Sequence, residues 1–221
     1  MKSKIALSVV ALLVAAASAW GQTRSALESS PKGWIDLLPE ESLKGWTRVA
    51  IPPDKPLDPI TQWKVDRAHR FIVCEGDRGH EWLRYDRELA NFILHVEWRF
   101  TKKEGAKGYN SGVFVRNSAD GRIWYQAQVG SASGGFLFGD TPVNGALKRI
   151  NLSSQLKEQR VTEAGEWNTY ELRCQGKIIA LWVNGAVTSE FTACDMPKGY
   201  LGLEAEGYRI EFRNLKLKKL P

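Results

Sequence analysis

Past residue 60, apolar and polar positions alternate with period two in one segment after another, the spacing of half-buried β-strands. The clearest runs are 92–100, 112–117, 122–129, 169–175, 177–183, 186–192, 199–205 and 209–218, and Gly, Asn and Asp fill the turns between them. In "WVNGAV" (182–187), Asn184-Gly185 supplies the positive φ angles of a two-residue hairpin, so two strands meet there. Helical patterning is scarce: "ELANF" (88–92) has room for one turn and "LSSQLKEQR" (152–160) for a short amphipathic segment. The proline-rich stretch 50–59 predicts an extended strap, and apolar residues on both sides of it argue against a domain boundary. Many short strands, few helices and no repeat of fixed period predict an all-β fold, a two-sheet antiparallel jelly-roll sandwich, with a barrel as the alternative.

The N-terminus reads differently. Lys2 and Lys4 precede the apolar run Ile5 to Ala17, and Ala17-Ser18-Ala19 is a small-residue cleavage site. Residues 1–21 therefore predict an export signal, leaving 22–221 as a single domain in the periplasm or outside the cell. The run is shorter than the about 20 residues of a membrane-spanning helix, so no span is expected. The chain's 221 residues, 43% hydrophobic and 25% charged, have ordinary globular composition. Two of the formal +6 charges lie in the export signal and the rest are scattered, which excludes a nucleic-acid surface. Cys74, Cys174 and Cys194 match no metal motif; they predict either buried thiols or one Cys174–Cys194 disulfide.

Alternation also sorts residues by face. Four strands have one apolar parity: Leu94, Val96, Trp98; Val113, Val115; Tyr125, Ala127, Val129; and Leu201, Leu203, Ala205. Their other parity carries His95, Glu97, Arg99; Phe114, Arg116; Trp124, Gln126, Gln128; and Glu204, Glu206. If the four strands lie in one sheet, all ten share a face. Carboxylates, arginines, amides and aromatic rings without a lysine suit sugar hydroxyls and sugar faces better than a solvated surface does. Blander readings stand beside this one. Glu97 with Arg99 and Arg116 could be a structural ion pair, His95 a hydrogen-bonded structural residue, Trp124 a rim shield and "YNSG" (109–112) a turn. An oxygen-rich face could take a divalent metal, though no ligand spacing requires one, and His69 and His80 form no pattern with His95. No phosphate cradle, G-x-S-x-G or Cys/His arrangement is present in recognisable context.

Six segments together resemble the exported bacterial family of 3-keto-disaccharide hydrolases: "GWIDLLPEESLKGW" (33–46), "WLRYDRELANFILHVEWRF" (82–100), "NSGVFVR" (110–116), "YQAQVG" (125–130), "GEWNTYELRCQGKIIALWVNG" (165–185) and "GYLGLEAEGYRIEFRNLKLKKL" (199–220). The resemblance implies a concanavalin A-like sandwich, a sugar substrate, and a pocket near Asn110 and Ser111. Two positions depart from the family pattern, which has Glu where Gln126 stands and Gln where Glu204 stands.

On a 3-keto sugar the implied chemistry is mild. The C3 carbonyl acidifies the C2 proton, so one base suffices and the C1 substituent leaves by elimination, water then completing a net hydrolysis. On this reading Glu97 or His95 is the base, and Arg99 or Arg116 holds the oxyanion. Glu204 or Glu206 serves the leaving oxygen, and Trp124 with Gln126 and Gln128 positions the ring. A paired-carboxylate glycosidase using Glu97 with Glu204 or Glu206 is a further option, although the "ExDxE" strand of glucanases on this fold is missing. A non-catalytic carbohydrate-binding module is the alternative function, and an envelope scaffold a third.

Overall fold

Fifteen strands make up the framework of the computed structural model, which describes residues 23–221; the expected export signal lies outside the described residues. In chain order they are β1 (Ile35–Asp36), β2 (Trp46–Ala50), β3 (Trp63–Asp66), β4 (Phe71–Cys74), β5 (Glu81–Tyr85), β6 (Phe92–Phe100), β7 (Asn110–Asn117) and β8 (Trp124–Gly130). β9 (Gly134–Val143), β10 (Ala146–Asn151), β11 (Asn168–Gln175), β12 (Ile178–Val183), β13 (Ala186–Phe191), β14 (Tyr200–Ala205) and β15 (Ile210–Lys219) follow. One short helix, α1 (Ala26–Ser29), precedes them.

Two antiparallel sheets form a jelly-roll sandwich. The back sheet runs β13-β12-β11-β6-β15-β4-β3, with β1 added alongside β15, and the front sheet runs β10-β9-β8-β7-β14-β5-β2. Between them the apolar parities interdigitate: Leu94, Val96 and Trp98 of β6 join one core cluster with Val113, Val115, Tyr125, Ala127, Leu201 and Leu203 of the front sheet. Each large apolar side chain taken out of water contributes about 1.5–3 kcal/mol, so this layer is the main driving force for closure.

All eight expected strands are present, and the Asn184-Gly185 hairpin forms with φ of 41° and 107°. Residues 88–92 form no helical turn; Leu89 instead bridges Gly199 through backbone hydrogen bonds. Of 152–160 only Ser153–Gln155 is helical, as a single 3-10 turn. The cysteines are three free buried thiols rather than a disulfide.

Strand β5 shows how a charge can hide a strand. Glu81 points inward, buried, where its carboxylate takes Arg48 Nη2 at 2.8 Å and Trp63 Nε1 at 2.9 Å. "EWLRY" therefore lacks clean alternation, yet His80, Trp82 and Arg84 all reach the outer face of the front sheet.

Candidate active site

The outer face of the front sheet is hollowed into a cavity of about 250 Å³ near its centre, where β8, β7, β14 and β5 run side by side. Asn110 and Phe114 come from β7, Trp124, Gln126 and Gln128 from β8, Glu204 from β14 with Glu206 just beyond it, and His80 and Trp82 from β5 and its lead-in. Cross-strand register places them: Glu204 lies opposite Trp82, Phe114 opposite Gln126, and Asn110 opposite Glu206.

Polar groups form one continuous chain across this floor. Gln128 Nε2 donates to Asn110 Oδ1 at 2.5 Å, and Asn110 Nδ2 donates to Glu206 Oε2 at 2.5 Å. His80 Nε2 lies 3.8 Å from Glu206 Oε2 and 2.8 Å from Glu204 Oε1. Gln126 Nε2 donates to the other oxygen of Glu204 and to the Ser111 carbonyl. Gly112 makes this possible: a Cβ there would lie 2.0 Å from Gln126 Nε2, so only glycine lets the amide lie flat across the strand. Gly202 does the same for Trp82, whose ring would meet a Cβ at 2.4 Å.

Burial raises the Glu204 carboxyl, and the Glu206 charge adds to it, while hydrogen bonds from His80 and Gln126 oppose the rise. Burial works against a charge on His80, but the hydrogen bond to Glu204 and the charges of both carboxylates outweigh it, so its pKa is raised. A carboxyl and an imidazole 2.8 Å apart, both with raised pKa, can hold a proton and pass it between them. His80, Glu204 and Glu206 could also hold a divalent cation, since one nitrogen and two carboxylate oxygens lie within 4.8 Å of one another.

The expected face is split by the structure. Phe114, Trp124, Gln126, Gln128, Glu204 and Glu206 do come together, and Asn110 joins them. His95, Glu97 and Arg99 do not, because β6 belongs to the back sheet and turns them to the opposite side of the sandwich. There Glu97 accepts Arg213 Nε at 2.7 Å and Asn214 Nδ2 at 2.6 Å, Arg99 pairs with Glu211 at 2.8 Å, and buried His95 holds Glu171 at 2.8 Å through Nδ1. The expectation that Glu97 or His95 is the base at this pocket is therefore corrected. Arg116 also leaves the face: a bulge sets Val115 and Arg116 against Leu201, Arg116 takes φ of 55°, and its guanidinium caps the carbonyls of Met196 and Gly176. Neither Arg99 nor Arg116 is placed to hold an oxyanion. Ser111 faces inward and donates to the Glu204 carbonyl at 2.8 Å, so it supports the site without lining it.

Sequence reasoning missed His80 as a site residue. Its only signal was alternation with Trp82 and Arg84, which the inward Glu81 obscured.

Fold and site together define a carbohydrate-acting β-sandwich protein. The chain belongs to the 3-keto-alpha-glucoside-1,2-lyase-like domain family, whose sequence model matches residues 33–218. Among solved structures it is similar to a candidate glycosyl hydrolase from Parabacteroides distasonis, with a TM-score of 0.61 and 17% identity over 90% of this chain and 100% of that one. It is also similar to the carbohydrate-binding module CBM66 from Bacillus subtilis, with a TM-score of 0.57 and 14% identity over 79% of this chain and 96% of that one. The β-glucanase of Bacillus licheniformis follows at 0.51 and 13%, over 80% and 94%. At these identities the likeness is one of fold. No curated protein matches the chain in sequence. Gln126 and Glu204, the two positions expected to depart from the resembled pattern, touch across the sheet.

Proposed function

We propose that the chain is an exported enzyme that cleaves the C1–O bond of 3-keto-glucosides by proton abstraction next to the keto group. Glu204 takes the C2 proton, and the electron pair moves into the C2–C3 bond to give an enolate. The N–H of Asn110 that Glu206 does not hold donates to the enolate oxygen. As the ketone reforms, C1=C2 forms, the C1–O bond breaks, and His80 gives its proton to the departing oxygen. The proton on Glu204 then crosses the 2.8 Å hydrogen bond to His80 and resets the pair. Water adding across the double bond turns the elimination into a net hydrolysis. A divalent cation held by His80, Glu204 and Glu206 would supply Lewis-acid polarisation of the same oxygens.

The observation that carries this reading is the His80–Glu204 pair, the acid and base of the pocket joined by one hydrogen bond. Incubating the protein with a 3-keto-glucoside and its unoxidised parent tests it, with release expected from the keto form alone. Glu204→Gln should lower turnover by about 10²–10⁴-fold while binding persists. The pH profile of kcat/KM should be bell-shaped: Glu204 must be ionised, so activity falls in acid, and His80 must be protonated, so it falls again as pH rises through its raised pKa. Binding without release from any keto form would make the protein a carbohydrate-binding module instead.

A further inference from the structure

The cavity is polar only on one side. Beyond Gln126 its wall is a run of rings packed edge to face: Trp82 against Phe114 with centroids 5.5 Å apart, Phe114 against Trp124 at 6.2 Å, and Trp124 against Phe138 at 5.1 Å. Among the polar atoms near these rings Trp82 Nε1 is a buried donor without a hydrogen-bond partner, while others are taken. Asn117 Oδ1 accepts the Tyr125 amide at 2.9 Å, and Gln126 Nε2 is committed to Glu204 and Ser111. Arg149, whose guanidinium carbon lies 5.6 Å from the Trp124 ring centroid and 5.1 Å from that of Phe138, is paired with Asp140.

A second sugar seated there would bury several hydroxyls against rings, and each unmatched one would keep its desolvation cost. A flat aromatic ring has no such cost and gains from edge-to-face or offset pairing with the wall. At about 250 Å³ the cavity also lies below the about 300–1,000 Å³ of clefts that take larger ligands, so its occupant is compact. Resting on the proposed cleavage at C1, we infer that the leaving-group half of the pocket is built for a phenolic aglycone, making aryl 3-keto-glucosides the substrate class. The bond changes are those given above, with a phenolate as the departing oxygen and His80 as its proton source.

The test compares the 3-keto derivatives of a hydroxyphenyl glucoside and of a glucose disaccharide on the unmodified protein and on Phe138→Ala. Phenolates leave more readily than sugar alkoxides, so rate alone decides nothing; KM and inhibition by free hydroquinone decide. Expected are a KM at least about tenfold lower for the aryl substrate, competitive inhibition by hydroquinone, and an about tenfold rise in the aryl KM alone in Phe138→Ala. Equal KM values, no inhibition by hydroquinone, or a Phe138→Ala effect shared by both substrates would overturn the inference and leave the proposed cleavage standing. Turnover of neither keto substrate would remove the cleavage reading and this inference with it. Tryptophan fluorescence follows hydroquinone binding independently of turnover, so a folded but inactive Phe138→Ala still reports on the ring slot.

Discussion

Gln126 and Glu204 keep one amide and one carboxylate in contact, and their order decides which strand bears the negative charge. With the carboxylate on β14 it sits against His80, buried in the floor of the cavity that it lines. Gln126→Glu alone would press two carboxylates together, and Glu204→Gln alone would leave His80 with Glu206 as its remaining acid partner in the pocket. Gln126→Glu should destabilise by about 1–3 kcal/mol, the range for a buried polar mismatch. The double exchange should recover most of that loss, and thermal unfolding of all four proteins should give a coupling energy of about 0.5–3 kcal/mol. Activity distinguishes the role of the order: a double variant that is stable but slow means that the carboxylate must stand beside His80. Both positions were legible in the sequence as departures from the family pattern. Their contact was not, because residues 78 positions apart in the chain reveal nothing of register until the strands pair.

At the scale of elements, parity and sheet membership are separate pieces of information. Period-two alternation in β6, β7, β8 and β14 separated core-facing from outward residues, except at Arg116, which the bulge in β7 takes off the outward face. It could not say which of two outward faces a strand would serve, because both sheets of a sandwich bury one face and expose the other. β6 pairs with β11 and β15, and its polar half works as structural glue on the back. Strands β9 and β10 escaped notice for another reason. Asn144-Gly145 repeats the hairpin signal of Asn184-Gly185, with φ of 53° and 77°, but Gly134, Gly135, Gly139 and Pro142 dilute the strand before it. Gly112 gives the test at this scale. Gly112→Ala should displace the Gln126 amide, since that side chain can swing while the strand cannot, lowering kcat about tenfold or more with a stability loss of about 1–3 kcal/mol. Equal kcat for the two proteins would show that the flat amide is irrelevant to turnover.

For the whole molecule, the charged back sheet sets the pH range of stability. Burial favours the neutral form of Glu97, but His95, with Nε2 at 3.8 Å, and hydrogen bonds from Asn214 and Arg213 outweigh it and pull its pKa from 4.5 down to about 2. Its stabilisation is complete above pH 4.5 and drains away as pH falls towards about 2. His95 acts in the opposite sense. Burial disfavours its charge, Glu171 and Glu97 more than compensate, and the raised pKa gives stability that is full below 6.5 and lost as pH climbs through the folded value. Urea unfolding from pH 2 to 9 should show both arms, and Glu97→Gln should flatten the acid arm. The free cysteines add a further expectation: Cys74 and Cys174 are buried thiols whose pKa burial pushes up, so thiol reagents should label them only after unfolding, and reducing agents should leave the melting temperature unchanged.

Glu171 also accepts the backbone N–H groups of Ala26 and Leu27, at 2.6 and 3.1 Å, and Asn91 Nδ2 donates to the carbonyl oxygen of Pro221 at 2.8 Å. Ala26, Leu27 and Pro221 are thus fastened around the back sheet. A bead or surface coupled beside Ala26 or Pro221 should therefore leave the opening of the front-sheet cavity pointing outward into the medium.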